Sequence, residues 1–209
     1  RVSQFPSGIP LDEPITPSPH FPLLAAVFEG GLVFVALAAG WALGQPPLQT
    51  LHGSWLAAGW GCAAATGPLA VLWLCLRWKW RPIERLVEVV NRLVLPLFEH
   101  ARPAELAIIA LLAGLGEEAL FRGVVQAVTA DWIGGAAGVW AGLAVASLLF
   151  GLVHLITPAY GMFAALMGLY LGLLWLWTGN LLAPIVAHAI YDFLALAYLR
   201  RVRGSLAAD

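Results

Sequence analysis

The stretch Leu115-Gly116-Glu117-Glu118-Ala119-Leu120-Phe121-Arg122 places three charged side chains inside an otherwise apolar run. The twelve residues before Gly116 hold one charge, Glu105. An ionisable group at bilayer depth costs about 2.5–3.5 kcal/mol on insertion scales, so it marks a functional site unless shown otherwise. These residues carry both readings of the chain: a membrane helix, and chemistry within it.

Working outward, the surroundings are membrane-like. The chain has 209 residues, 61% hydrophobic and 11% charged, with mean hydropathy +0.84. A soluble domain carries about 25% charged residues. No Asp, Glu, Lys or Arg occurs between Gly30 and Leu76, and only Asp192 between Trp132 and Leu199. Such stretches exceed the roughly 20 apolar residues that span a bilayer. The expected fold is all-α: a polytopic transmembrane bundle of about six spans plus a cytoplasmic amphipathic helix. The spans fall near 21–44, 55–76, 104–129, 136–156, 159–178 and 180–199, separated by Gln45-Pro46-Pro47, Gly134-Gly135, Thr157-Pro158 and Gly179-Asn180. Trp55, Trp78, Trp80, Trp132, Trp175 and Trp177 gather near span ends, as an interfacial belt requires. The Gly-rich run 134–142 permits close helix packing.

The expected organisation is a polar, Pro-rich segment at 1–20, without the apolar core of a signal peptide, then one membrane domain at 21–200, and a cytoplasmic tail at 201–209. Arg77, Lys79, Arg81, Arg85, Arg92 and Arg102 occupy the 77–102 loop, and Arg200, Arg201 and Arg203 follow the last span. The loops at 45–54, 130–135 and 178–180 hold no basic residue. The positive-inside rule puts the basic loop and both termini in the cytoplasm. Residues 83–99 read as an amphipathic helix lying on that surface, with Ile83, Leu86, Val87, Val90, Leu93, Val94 and Leu97 on its apolar face. Cys62 and Cys75, about 20 Å apart on one helix, cannot form a disulfide with each other and read as buried thiols. His20, His52 and His100 fall in loops.

The polar residues inside the spans have helical spacing. Glu118 and Arg122 are i,i+4 and can pair, which leaves Glu117, about 100° round the helix, free. Phe150 and His154 share one face of the fourth span, and His188 and Asp192 one face of the sixth. Singly, each has a bland reading: an ion pair, an interhelical hydrogen bond, core packing, an orienting pair. Together, carboxylates and imidazoles on three spans suit hydrolysis in a wet internal cavity. Glu takes a proton from water, His shares it or donates to a leaving amine, and polar donors hold the oxyanion. HExxH is absent. The set suits metal-free or metal-assisted hydrolysis: Glu117, His154 and His188 could bind a divalent metal such as zinc. Glu29, outside these groups, receives no role.

Glu117-Glu118-x-x-x-Arg122, Phe150-x-x-x-His154 and His188-x-x-x-Asp192 resemble the three motifs of the CPBP intramembrane proteases, which include the type II CAAX prenyl endopeptidases and bacteriocin-processing-like proteins. Gly123 and Asn180-Leu181 are similar too. The resemblance covers roughly residues 104–195. It implies an α-helical membrane hydrolase that cuts peptides without a covalent intermediate. Glu117 and His154 would activate water, Glu118 and Arg122 would brace the site, and His188 with residue 192 would hold the oxyanion. Position 192 is Asn in the prenyl endopeptidases and Asp here. An ionised Asp cannot donate, so Asp192 fits better as an orienter of His188 or a metal ligand.

The expected function is therefore an intramembrane endopeptidase acting from a cytoplasm-facing cavity on a peptide, prenylated tail or membrane protein segment. Its partners would be that substrate and the lipid bilayer, with no nucleic acid, and its location a bacterial plasma membrane. The competing readings are a non-catalytic scaffold or immunity protein, and a proton-coupled transporter. Depth tests the single-site reading. His154 lies three residues from Thr157-Pro158, and a turn at the membrane surface would carry it away from Glu117. The turn at 157–160 is thus expected below the surface. A separation above about 10 Å between His154 Nε2 and the Glu117 carboxylate would break the site apart.

Overall fold

The computed structural model describes residues 18–77 and 86–206, with side chains as far as Arg201. Seven α-helices are present among the described residues: α1 Phe21–Leu43, α2 Trp55–Arg77, α3 Pro103–Glu118, α4 Ala127–Ile133, α5 Gly135–Val153, α6 Pro158–Thr178 and α7 Leu182–Leu206. Five of them, α1, α2, α5, α6 and α7, are long and apolar enough to cross a membrane. The 23 residues of α1 make about 35 Å of helix, against a hydrocarbon core of about 30 Å. Large apolar side chains face outward along them, among them Phe34, Trp41, Leu148 and Trp177. The chain is an integral membrane protein.

The third expected span departs from a plain α-helix. α3 continues through a π-helical segment, Ala119–Gln126, into α4. Backbone angles stay right-handed helical at both junctions. The wider i→i+5 turn carries Arg122 and directly follows both glutamates, and such turns favour functional sites. α3 starts cleanly: Pro103 occupies the first turn, where its missing N–H costs nothing. The Glu105 carboxylate takes the Arg102 backbone N–H at 2.7 Å and the Arg102 guanidinium at 2.7 Å.

The turn at Gly134-Gly135 folds α5 back along this helix. Both glycines have positive φ, 75° and 59°, and so meet the αL and extended requirements of a tight reversal. A side chain on Gly138 would collide with the Ala130 carbonyl, and one on Gly142 with the Gln126 carbonyl. Those two pairs define one antiparallel register, 138 against 130 and 142 against 126. Carried on by eight residues, it sets Phe150 against Glu118. The end of α5 therefore lies beside the midpoint of the 103–133 run.

α7 packs against α2 and α3, α1 against α3, and α5 against α6. The contacts use small residues, as membrane interfaces do: Ala57, Ala183 and Ala187 with Leu171 and Leu174 in one cluster, Ala36 and Ala119 with Val124 and Val128 in another.

Three expectations change. The surface segment is not one regular helix: its described part passes from an α turn at 86–89 to π at Val90–Val94 and 3-10 at Leu95–Phe98. Pro96 cannot donate and crowds the preceding turn. Residues 83–85, like Trp78, Trp80, Lys79 and Arg81, lie outside the described residues. The segment is pinned by an edge-on contact of Phe98 with Phe21, 5.3 Å between centroids, and by Arg200 donating to the Ala101 and Glu99 carbonyls at 2.7 and 3.1 Å. That anchoring continues α7 past residue 200 as far as Leu206. The cysteines are free but not buried: Cys62 is exposed and Cys75 half-exposed, on a helix whose surface is mostly open to its surroundings.

Candidate active site

The seven motif residues converge, from three helical runs. Arg122 is buried and anchors the centre. Its Nη1 donates to Glu118 Oε1 at 2.9 Å, and its Nη2 to the Gly168 carbonyl of α6 at 2.7 Å. The Gly168 carbonyl is reachable because α6 packs tightly here, a Cβ on Gly168 falling 3.1 Å from Ser147 Cα. His188 Nδ1 meets the same Glu118 oxygen at 2.8 Å, and its Nε2 faces Asp192 Oδ2 at 3.4 Å. With both carboxylates ionised, both ring nitrogens donate. Glu118 thus holds Arg122 and His188 through one oxygen. Glu118 and Arg122 are 0% and 1% exposed, closed off from bulk solvent.

Glu117 and His154 form a second, looser pair. Glu117 Oε2 lies 3.8 Å from His154 Nε2, well inside the limit that would have separated them. His154 Nδ1 lies 2.8 Å from the Phe150 carbonyl. A carbonyl only accepts, so Nδ1 carries the proton and a neutral His154 turns its Nε2 lone pair toward Glu117. His154 follows the last residue of α5, ahead of Thr157, which caps α6 by accepting the Tyr160 N–H at 3.2 Å.

Phe150 joins the two pairs. Its ring stacks on His154, 4.5 Å between centroids and 24° between planes. It meets His188 edge-on at 6.0 Å and Phe121 at 5.0 Å, and the Arg122 guanidinium lies 5.1 Å from its centroid. A residue that alone looks like core packing therefore sets the orientation of the catalytic candidates.

The metal set considered from sequence does not assemble. Among the described residues no three His, Cys, Asp or Glu side chains converge to hold an ion. Both nitrogens of His188 are turned to Glu118 and Asp192, and His154 spends Nδ1 on a backbone carbonyl.

Other residues enter that the motif reading did not use. Tyr160, half-buried in the first turn of α6, lies within electrostatic reach of Asp192 and Glu117. Gln126 is buried with neither amide atom paired. Its signal was an uncharged polar residue one turn beyond Arg122. Asn180 is not at the site. Its amide takes the His52 N–H at 3.3 Å and gives to the His52 carbonyl at 3.0 Å, fastening the 44–54 connection to the start of α7. Gly123 serves the same connection: a side chain there would collide with the backbone of Pro47. A cleft of about 320 Å³ lies away from the cluster, between Pro103, Leu106, Phe193, Ala197, Arg200 and Arg201.

No curated protein and no solved structure matches the chain. Residues 100–194 match the family described as type II CAAX prenyl endopeptidase Rce1-like. The match begins just before α3 and ends within α7, so it encloses all seven motif residues and leaves α1 and α2 outside. The segment that builds this site is similar to the Rce1-like type II CAAX prenyl endopeptidases, a likeness that supports a protease at the level of that family.

Proposed function

We propose that the chain hydrolyses peptide bonds within the membrane, using water activated jointly by Glu117 and His154. One observation carries this reading: two acceptor atoms from different helices face each other 3.8 Å apart, too far to bond and close enough for one water to hydrogen-bond to both at about 2.8 Å. Glu29, Glu117, Glu118, Arg122 and Gln126 each have a buried polar atom without a protein partner. Such a density of unmet polar atoms fits a hydrated interior.

The water gives one hydrogen bond to each acceptor, which leaves its lone pair for the scissile carbonyl. As the new C–O bond forms, one proton passes to Glu117. When the C–N bond breaks, Glu117 returns that proton to the leaving amine, so the carboxylate is regenerated. The developing oxyanion needs donors. His188 Nε2–H, held by Asp192 only at 3.4 Å, can turn to it, and the Tyr160 hydroxyl is a second candidate. Ionised Asp192 serves as orienter of His188 and not as donor.

The substrate is a peptide or membrane protein segment, prenylated where the host supplies such proteins. It enters from the cytoplasmic side of a bacterial plasma membrane, with both termini of the chain on that side. The test is mass spectrometry of membrane peptides from cells with wild-type protein, without it, and with Glu117→Gln. The expected result is a set of cleavage products found only with the wild type. Equal cleavage by the variant removes Glu117 as the base.

A further inference from the structure

Glu29 has no part in the mechanism above, lies outside the family segment, and yet reaches the same site. α1 and α3 approach most closely at Gly116, where a Cβ would sit 2.6 Å from the Glu29 carbonyl and 3.0 Å from Leu32 Cβ. Glu29 is thereby held beside the residue that precedes Glu117. Its side chain is half-buried, and its Oε2 is buried with no hydrogen-bond partner. The carboxylate is within electrostatic reach of Asp192 and His188 and of Glu117.

The charges around it do not balance. The site gathers four carboxylates, Glu29, Glu117, Glu118 and Asp192, against Arg122, His154 and His188. Arg122 and His188 are taken by Glu118, His188 also by Asp192, and His154 faces Glu117. Even with both imidazoles charged, one carboxylate has no cation, and among the described residues none pairs with Glu29. Intramembrane ionisable groups pair with one another or line the substrate path. Among the described residues no cation fills that place, and one carried by a substrate would.

We infer that Glu29 is a specificity residue that receives a positive charge on the substrate, a Lys or Arg side chain or a free α-amino group near the bond cut at Glu117. This rests on the endopeptidase reading and adds a substrate class to it: basic peptides. The family segment supplies the hydrolytic groups, and the first helix selects what reaches them.

The test uses the full chain in lipid nanodiscs, as wild type, Glu29→Gln, Glu29→Lys and Glu117→Gln. Each is given a synthetic peptide library, half of it N-acetylated, and cut sites are read by mass spectrometry with and without a chelator. Wild type should prefer basic peptides. Preference confined to the unacetylated half assigns the charge to the α-amino group; preference in both halves assigns it to Lys or Arg. Glu29→Gln should lower the ratio of kcat/KM for basic over neutral peptides about tenfold to a hundredfold, through KM. Glu29→Lys should turn the preference toward acidic peptides. The inference falls if all Glu29 variants keep the wild-type preference, if they lose basic and neutral substrates equally, or if the chelator and not the substitution abolishes it. Wild-type activity no greater than that of Glu117→Gln would instead defeat the endopeptidase reading itself.

Discussion

Two acid–histidine pairs sit side by side in this molecule, and they are built differently. Glu118 and His188 are 2.8 Å apart, the same Glu118 oxygen holds Arg122, and all three are almost wholly buried. Glu117 and His154 are 3.8 Å apart, and the His154 side chain is 30% exposed. Adjacent residues on one helix, 7% and 0% exposed, thus differ in how closely they are partnered. The tight knot ties Glu118, Arg122 and His188 together inside the protein, which suits it to hold shape. The 3.8 Å gap of the looser pair leaves place for one water between its two acceptors. That difference supports the proposed division between bracing and chemistry without reference to any relative.

Variants can break that separation. The largest effect is expected for Glu117→Gln, a loss of about 10²–10⁴ in kcat with an unchanged thermal midpoint; a folding defect of equal size would make the loose pair structural as well. Arg122→Met should show the converse, costing about 3–5 kcal/mol of stability because it strands the buried Glu118 charge, as measured by denaturant unfolding in detergent. Stability close to wild type would mean that the knot is not what holds the helices. Asn180→Ala removes the fastening of the 44–54 connection and should cost about 1–3 kcal/mol, while the activity of the folded fraction stays the same; a change in kcat would link that end of the bundle to the site. The smallest effect is expected for Asp192→Asn. At 3.4 Å from His188, the carboxylate orients weakly, so activity should stay within about tenfold of wild type. A loss beyond a hundredfold would move Asp192 into the chemistry.

Sequence reading reached the helices through hydropathy and the breaks through glycine and proline, because both signals are local. It also reached the Glu118–Arg122 pairing, which needs only helical spacing. What it could not supply was the third partner, since His188 meets Glu118 across 70 positions through the packing of α7 on α3. The depth of His154 was in part legible. Counting inward from the membrane surface made it look misplaced, whereas counting back from Gly134 along the hairpin brings Phe150 level with Glu118. The π-helical segment was not legible, since no residue in Ala119–Gln126 demands it, and Pro96 was passed over because the apolar stripe around it looked continuous. Glu29 was visible as a charge, but its relation to Asp192 and Glu117 is purely tertiary.

The π-helical segment has a consequence for how this chain tolerates change in length. A π turn accommodates residues that a tighter helix would exclude. Removing one residue from Ala119–Gln126 would let the helix relax toward ordinary α geometry, with every side chain intact. It would also change the rotation and rise with which α4 follows α3 and so shift the glycine register against α5, carrying Phe150 and His154 away from the two glutamates. A single-residue deletion that looks mild in an alignment would therefore act here as a misalignment of the whole hairpin, and its damage would be geometric, not chemical.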